Sequence, residues 1–301
     1  MRPGLLTCSL MLSLSLAGCR KAPPSLVPTP AGPPPVRLDF QPPVGRVLTE
    51  SQRGTRVVER SGASSVREEA ELTTESRFTP SEGGWLLTQA VPRSRLVRGE
   101  APVDTPVDDV LARFTLRVRL AADGTFVKLV APEAAQEALR QVVPEGAEAG
   151  LLERFFSPEV LEARTRREWE AKYSGLFQRN LTEGQRTWAV DVLPVGERQV
   201  TYVLERTVRG TRDTEYGDAV VLSLRCLDAV AEDAPDELVD AWEAAGRPGL
   251  TPGVSCEGEQ VLARGRFIPV SRRLTVKAAV AGETWTVTTE SRAQGLQEEA
   301  R

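Results

Sequence analysis

The stretch Val66–Phe78, which reads VREEAELTTESRF, alternates between two kinds of side chain. Its even positions include Leu72 and Phe78, whereas its odd positions carry nearly all of the charge. Successive side chains of a strand point to opposite faces, so this period of two predicts a half-buried β-strand. We expect the even positions to pack on a core and the odd positions to meet solvent.

Further strands are predicted on both sides of this stretch. Phe114 to Leu120 alternates in the same way, and Asp123-Gly124 is typical of a hairpin turn into a strand at 125–130. Gly83-Gly84 predicts another turn, into a strand that begins near Trp85. Six more strands are predicted at about 186–193, 197–209, 217–227, 259–268, 271–281 and 283–292.

A central segment, about 132–178, is helical in character. A first helix is predicted over 132–143, and Ser157-Pro158-Glu159 has the cap, proline and acidic residue that open a second one. One apolar stripe then recurs every four residues, which favours packing against a sheet over a ligand-binding wall. Its members are Leu161, Thr165, Trp169, Tyr173 and Phe177.

The order of elements is β, then α, then β, with short turns between the strands. This order predicts a mainly β (α+β) fold with antiparallel sheets over residues 37–301, either a half-open barrel or a two-sheet structure. The helices should lie across one sheet or plug one end of the barrel. The pentapeptide TTESR occurs at 73–77 and again at 288–292, which indicates either an internal duplication or chance in a chain rich in Arg, Glu and Thr.

The first residues have the pattern of a secretory signal, with Arg2 ahead of a short apolar stretch. The signal peptide is predicted to be 1–18, and Leu16-Ala17-Gly18-Cys19 matches a lipobox. In this the chain resembles the lipoproteins of the Gram-negative cell envelope. The resemblance implies cleavage before Cys19, diacylglycerol on its sulfur and an acyl chain such as palmitate on its amine. Arg20 stands where an aspartate often retains lipoproteins in the inner membrane, so the resemblance favours the outer membrane.

The lipidated cysteine is followed by a Pro-rich segment, so 19–36 is predicted to be an extended tether. Export also decides how the remaining cysteines are interpreted. Cys226 and Cys256 form a pair in an oxidising compartment, which predicts a disulfide at the base of an insertion, 227–256. The insertion should hold a short helix between Ala234 and Gly246.

An acidic cluster within this insertion suggests either a calcium site or a solvated helix N-terminus. The EF-hand spacing is absent, which favours the helix N-terminus. No metal site is therefore predicted. The cluster comprises Asp228, Glu232, Asp233, Asp236, Glu237 and Asp240.

Composition excludes several classes of function. The chain has 38 Lys and Arg against 42 Asp and Glu, without the basic patch or stripe that nucleic-acid binding requires. It contains no histidine, which removes Ser-His-Asp catalysis and the usual imidazole ligands of metals. Since it also lacks the sequence motifs of nucleotide binding and of serine hydrolases, we predict no enzymatic activity and no cofactor. An enzyme that uses carboxylates alone, such as a glycosidase, is a third and more distant alternative.

Two functional hypotheses follow. The favoured one is a non-enzymatic, membrane-anchored binding or structural protein of the cell envelope, with a protein or cell-wall partner. The alternative is a carrier or sensor of a lipid or another apolar ligand, enclosed by the β-sheet. In the alternative, the candidate lining residues are Trp85, Trp169, Trp188 and Trp285.

Overall fold

The computed structural model describes residues 35–60, 64–99, 101–103, 105–143, 150, 153–154, 156–195 and 198–298. The predicted signal peptide, Cys19 and all of the tether except residues 35 and 36 lie outside these ranges. Over the described ranges, none of the helices has the length and apolar character needed to cross a membrane.

Fourteen strands and four helices occupy these described ranges. The strands are β1 (Val36–Leu38), β2 (Arg46–Arg60), β3 (Val66–Ser81), β4 (Gly84–Arg98), β5 (Ala101–Val103), β6 (Leu116–Ala121), β7 (Phe126–Leu129), β8 (Arg179–Leu181), β9 (Arg186–Val195), β10 (Arg198–Thr214), β11 (Gly217–Leu227), β12 (Ser255–Ala263), β13 (Pro269–Val280) and β14 (Glu283–Glu298). The helices are α1 (Pro106–Arg113), α2 (Glu133–Val142), α3 (Pro158–Tyr173) and α4 (Asp236–Ala244).

Twelve of the strands form one antiparallel sheet that does not close into a barrel. Its order is β7-β6-β4-β3-β2-β14-β13-β12-β11-β10-β9, with β5 paired to β4 beside this path. The first and last long strands, β2 and β14, therefore lie side by side at the centre. A separate two-stranded sheet pairs β1 with β8. The prediction of a mainly β fold with antiparallel sheets is confirmed, and the large sheet is open.

The alternation in Val66–Phe78 separates the two faces of the sheet as expected. Glu68, Thr74, Ser76 and Phe78 are buried at even positions of β3, and we call the face that carries them the inner face. Strand register extends this face across the sheet, since directly paired residues share a face. One row of paired residues on it is Leu72, Gln52, Ser291, Arg272, Gln260, Leu222 and Val208.

The sheet curls around its inner face. Phe78 and Val118, near one end of the strand order, lie in the same core cluster as Leu222 and Leu262 near the other end. Residues so far apart in the order can share a core only if the sheet bends. Helix α3 crosses the opening and contacts both end strands, β7 and β9.

Two arginines hold α3 against the sheet. Arg166 donates a hydrogen bond to the carbonyl oxygen of Val127 in the end strand β7, at 2.8 Å. Arg206, fully buried in β10, donates to the carbonyl oxygens of Ala171 at 3.3 Å and of Ser174 at 2.6 Å, where α3 ends. The free carbonyls of a helix C-terminus carry partial negative charge, so a cation there is stabilising. Helix α3 is thus fixed at both sides of the opening.

The aromatic stripe of α3 packs on the core, as predicted. Trp169 and Tyr173 lie against Phe40 and Phe267, with ring centroids about 5 to 6 Å apart. The Trp169 indole N–H donates to the carbonyl oxygen of Gly124 at 2.9 Å. Gly124 has φ +85°, and a Cβ there would lie 2.6 Å from the Phe40 ring. The predicted Asp123-Gly124 turn therefore needs glycine for its conformation and for this close packing.

The disulfide between Cys226 and Cys256 is confirmed, with a Cα–Cα distance of 5.0 Å. It closes the predicted insertion, whose helix α4 packs Leu238 and Trp242 on the outer face near Val190. Asp236 and Glu237 occupy the first turn of α4. Over the described part of the chain, no group of three or more His, Cys, Asp or Glu side chains is arranged to hold a metal ion.

Several predicted boundaries need correction. Strand β12 begins at Ser255 and ends at Ala263, because the chain turns after it and buries Phe267 and Ile268 in the core. Val36, assigned to the tether, is the first residue of β1. Helix α1 was not predicted, and its N-terminus is capped by Thr105, whose hydroxyl accepts from the Asp108 N–H. Both TTESR copies flank β2, one in β3 and one in β14.

Candidate functional site

Some apolar side chains at the centre of the inner face are only half-buried. Phe78, Leu274 and Val276 on this face are almost completely covered. Ala70, Leu72 and Val287 are partly exposed although they point to the same face. Helix α3 therefore covers the inner face incompletely.

A cavity of about 400 Å³, which we call the groove, lies between α3 and this part of the sheet. This volume falls within the roughly 300–1,000 Å³ that is typical of ligand pockets. The floor of the groove combines aliphatic residues with polar residues of the same face, and charged residues of α3 line its rim. Aliphatic floor residues are Gly54, Ala70, Leu72, Leu274, Val276 and Val287, polar floor residues are Gln52, Arg272, Thr289 and Ser291, and rim residues are Arg164, Arg167, Glu168 and Lys172.

The charged rim is held together by an ion pair within α3. The Lys172 ammonium lies 2.7 Å from the Glu168 carboxylate and holds the pKa of Glu168 below its ordinary value. Burial lowers the pKa of Arg164, which lies one helical turn before Glu168. Aliphatic floor residues beneath a charged rim suit a ligand with an apolar chain and a polar end.

A smaller cavity of about 230 Å³, which we call the chamber, adjoins the groove under α3. Four charged residues line it: Glu50, Glu168, Lys172 and Arg272. The groove and the chamber share part of their lining, so they are neighbouring compartments. The shared residues are Gln52, Leu72, Glu168, Lys172, Arg272 and Ser291.

Three residues that line the chamber carry buried polar atoms without hydrogen-bond partners among the described residues. The atoms are Thr74 Oγ1, Gln260 Oε1 and Arg272 Nε. Thr74 is 3% exposed and Gln260 is 1% exposed, and the Gln260 amide N–H donates to the Lys172 carbonyl oxygen at 3.0 Å. Most buried polar atoms in proteins are paired, so three unpaired atoms around one cavity indicate a place for a polar ligand group or for solvent.

Burial also perturbs acidic groups around the chamber. Desolvation raises the pKa of Glu50, an effect that the nearby Lys172 ammonium opposes. Desolvation raises the pKa of Tyr173 well above its ordinary value, and the Glu50 charge acts in the same direction. The chamber is therefore a site where a charge is costly unless it is paired.

The four candidate tryptophans do not surround one cavity. Trp85 and Trp169 pack on the same core cluster, and Trp285 packs on another, where the Arg56 guanidinium lies 5.6 Å from its ring centre. Trp188 lies on the outer face, and its indole N–H donates to Glu205 at 3.2 Å. The groove is lined by aliphatic and polar residues and by none of these four tryptophans. The sequence contained one indication of the groove. Gly54 and Ala70 are small residues on paired strands, and both face inward.

Two larger depressions of about 1170 and 1110 Å³ lie elsewhere on the surface. The first is bounded by α3, β9 and α4 and brings Trp169 and Trp188 together. Its lining combines apolar residues with ion-paired charges such as Glu162, Arg166 and Glu170, and charged residues dominate the second. The second has few of the aliphatic side chains that line the groove.

Comparison with known proteins gives distant structural likenesses. No protein-family model and no curated protein matches the sequence. A lipovitellin structure concerned with lipid–protein interactions matches 87% of this chain at 12% identity with a TM-score of 0.49. A Bacteroides fragilis protein with a YmcC-like fold matches 87% of this chain and 99% of its own at 8% identity, with a TM-score of 0.25.

A LolA superfamily protein from Nitrosomonas europaea matches 84% of this chain and 87% of its own at 7% identity. Its TM-score is 0.19. The lipovitellin match covers 26% of the lipovitellin chain, whereas the other two matches cover most of the matched chain. This chain therefore spans about a quarter of the length of the lipovitellin chain.

Proposed function

We propose that this protein is a lipid-anchored envelope protein that binds a ligand with an apolar chain in the groove beneath α3. The observation that carries the proposal is the cavity beneath α3, where the aliphatic side chains of Ala70, Leu72 and Val287 on the inner face remain partly exposed. Covering such side chains with a hydrocarbon chain is favourable, at about 0.8 kcal/mol for each buried CH₂. The chain's function would then be to carry or sense that ligand.

Ligand binding in the groove requires no unpacking of the core. The α3 residues that line the groove include Arg164, Arg167 and Glu168, whereas its aromatic stripe packs elsewhere. A ligand would therefore displace solvent from beneath charged side chains and leave the aromatic packing intact. The stems of arginine and lysine can also cover a hydrocarbon chain while their charges stay in water.

Gly54→Phe tests this proposal directly. Gly54 lies on the floor, a Cβ built there meets no atom within 4 Å, and its φ is not positive. A phenyl ring should therefore fill the groove without straining the backbone, and β-propensity favours the change. We expect residues 20–301 carrying Gly54→Phe to stay folded and to lose at least tenfold in affinity for a fluorescent probe with a long alkyl chain and an uncharged head group.

Thr55→Phe is the matched control. Thr55 is the next residue of β2, so its side chain points to the outer face. The control should bind the probe as the wild-type protein does. Equal affinity of all three proteins, or no affinity in any, would contradict the proposed site.

The anchor belongs to the same proposal. The lipobox supports lipidation at Cys19, and with two or three acyl chains such an anchor holds firmly to a membrane. Cells fed an alkyne-tagged fatty acid should label the wild-type protein and not a Cys19→Ala variant, which should also leave the membrane fraction. Labelling that survives in Cys19→Ala would contradict the anchor. Location in a Gram-negative envelope, a protein or wall partner and the lack of enzymatic activity remain predictions.

A further inference from the structure

Three residues around the chamber carry polar atoms that form no hydrogen bond with the described residues. We infer that the chamber binds the neutral, hydroxyl-bearing head group of the ligand whose apolar chain lies in the groove. This inference rests on the proposed function and adds the chemical class of the head group. Glycerol esters and alkyl glycosides are ligands of this class.

The unpaired atoms match the hydrogen bonding of hydroxyl groups. Gln260 Oε1 can only accept a hydrogen bond, Arg272 Nε can only donate one, and the Thr74 hydroxyl can do either. A ligand hydroxyl both donates and accepts, so it is chemically suited to pair with each kind of atom. A purely apolar group would leave them unpaired, at a cost for each buried atom.

The charges around the chamber balance. Glu50 and Glu168 supply two carboxylates, and Lys172 and Arg272 supply two cations. Lys172 and Glu168 already form an ion pair at 2.7 Å. Of these four, Glu50 is buried and Lys172 mostly so, and a charged head group beside them would need a partner of its own, whereas a neutral one would not.

One molecule can reach both compartments. The groove and the chamber share the Leu72 side chain on the sheet and the Glu168 and Lys172 side chains on α3. A chain lying on Val287 and Ala70 in the groove therefore comes close to the chamber. The head group would then lie across this shared boundary.

The rim of the groove offers a competing place for the head group. Arg164, Arg167 and Lys172 are cations at that rim and would attract a fatty-acid carboxylate. If the head group lay there, an anionic ligand would bind best. The two arrangements thus predict opposite rankings of ligands that share one chain.

The test measures the affinity of residues 20–301 for decanoyl glycerol, decanoate and decylphosphocholine by titration calorimetry below their aggregation concentrations. We expect decanoyl glycerol to bind roughly tenfold more tightly than the other two, since about two added hydrogen bonds correspond to that factor. Thr74→Val and Gln260→Leu should each reduce this preference severalfold. Thr74→Ser keeps the hydroxyl and should keep the preference.

The variants also separate a lost site from a lost fold. The Thr74 hydroxyl has no hydrogen-bond partner, so Thr74→Val removes no native hydrogen bond and should unfold at the same denaturant concentration as the wild type. Equal affinity for all three ligands would leave the groove in place and overturn the head-group site, with the chamber holding only solvent. Tightest binding of decanoate would overturn it in favour of the rim. Failure of all three to bind would overturn the groove as well.

Discussion

At the scale of single residues, Arg206 combines a charged side chain with complete burial. Its guanidinium is hydrogen-bonded to backbone carbonyl oxygens at the end of α3. Burial, followed by repulsion from Arg272, lowers the pKa of Arg206 to about 9. The side chain thus stays protonated at neutral pH and keeps its donors.

Replacing Arg206 by methionine should lower the free energy of unfolding by about 1–3 kcal/mol, because the buried carbonyls of Ala171 and Ser174 would lose their donors. Denaturant unfolding measures the change. Arg209→Met is the matched control, since Arg209 is exposed in the same strand and donates to Ser223 at 2.8 Å. If the two variants proved equally stable, Arg206 would not be what holds α3.

Glu50 makes stability depend on pH in a defined direction. Burial raises its pKa in the folded state, so the stability that protonated Glu50 contributes is complete below about pH 4.5 and is lost as the pH rises through the raised value. Glutamine stays neutral throughout. The stability of Glu50→Gln relative to wild type should therefore increase between pH 4 and pH 7, by about 1.4 kcal/mol for each unit by which the pKa is raised.

Urea unfolding at the two pH values measures this difference. Glu59→Gln, which removes an exposed carboxylate from the same strand, is the control. A stability difference between Glu50→Gln and wild type that stayed the same at both pH values would show that burial does not perturb Glu50.

At the scale of elements, the disulfide stabilises the insertion that carries α4. It joins β11 to β12 across 30 residues of sequence. On the loop-entropy model, a bridge of this span contributes about 3–4 kcal/mol. The double variant Cys226→Ala, Cys256→Ala should lose about that much unfolding free energy while ligand binding in the groove is retained.

Hydrogen exchange locates the loss within the chain. The amides of α4 should exchange faster in the double variant, while those of β2 and β14 at the centre of the sheet should be the last to exchange. Rapid exchange in the central strands with α4 still protected would contradict this order.

Helices and strands could be predicted from the sequence where the residues that determine them are close together in the chain. The alternation in β3 and the cap of α3 at Ser157 both depend on near neighbours, and both predictions are confirmed. Helix α1 has a comparable cap in Thr105, with Pro106 following it, but its eight residues are too few for a recognisable apolar stripe. The end of β12 could not be predicted, because burial of Phe267 depends on Phe40, which is distant in sequence.

At the scale of the whole molecule, curvature brings the candidate site together. The groove uses strands from both halves of the sequence, such as Ala70 in β3 and Val287 in β14. Sequence alone predicted an apolar ligand enclosed by a sheet as an alternative function, and it proposed tryptophans as the lining. The register that places Gly54 between Ala70 and Thr289 arises only from pairing of distant strands. For the same reason, the unpaired atoms of Thr74 and Gln260 had no signal in the sequence.

The most direct test of the central claim is native mass spectrometry of residues 20–301 exported to a bacterial periplasm, as wild type and as Gly54→Phe. We predict reproducible extra mass on the wild-type protein that extracts as a lipid, and its absence from the folded variant. Both proteins should be two hydrogens lighter than the reduced chain because of the Cys226–Cys256 disulfide. Apo masses for both proteins, or the same extra mass on both, would contradict a ligand site in the groove.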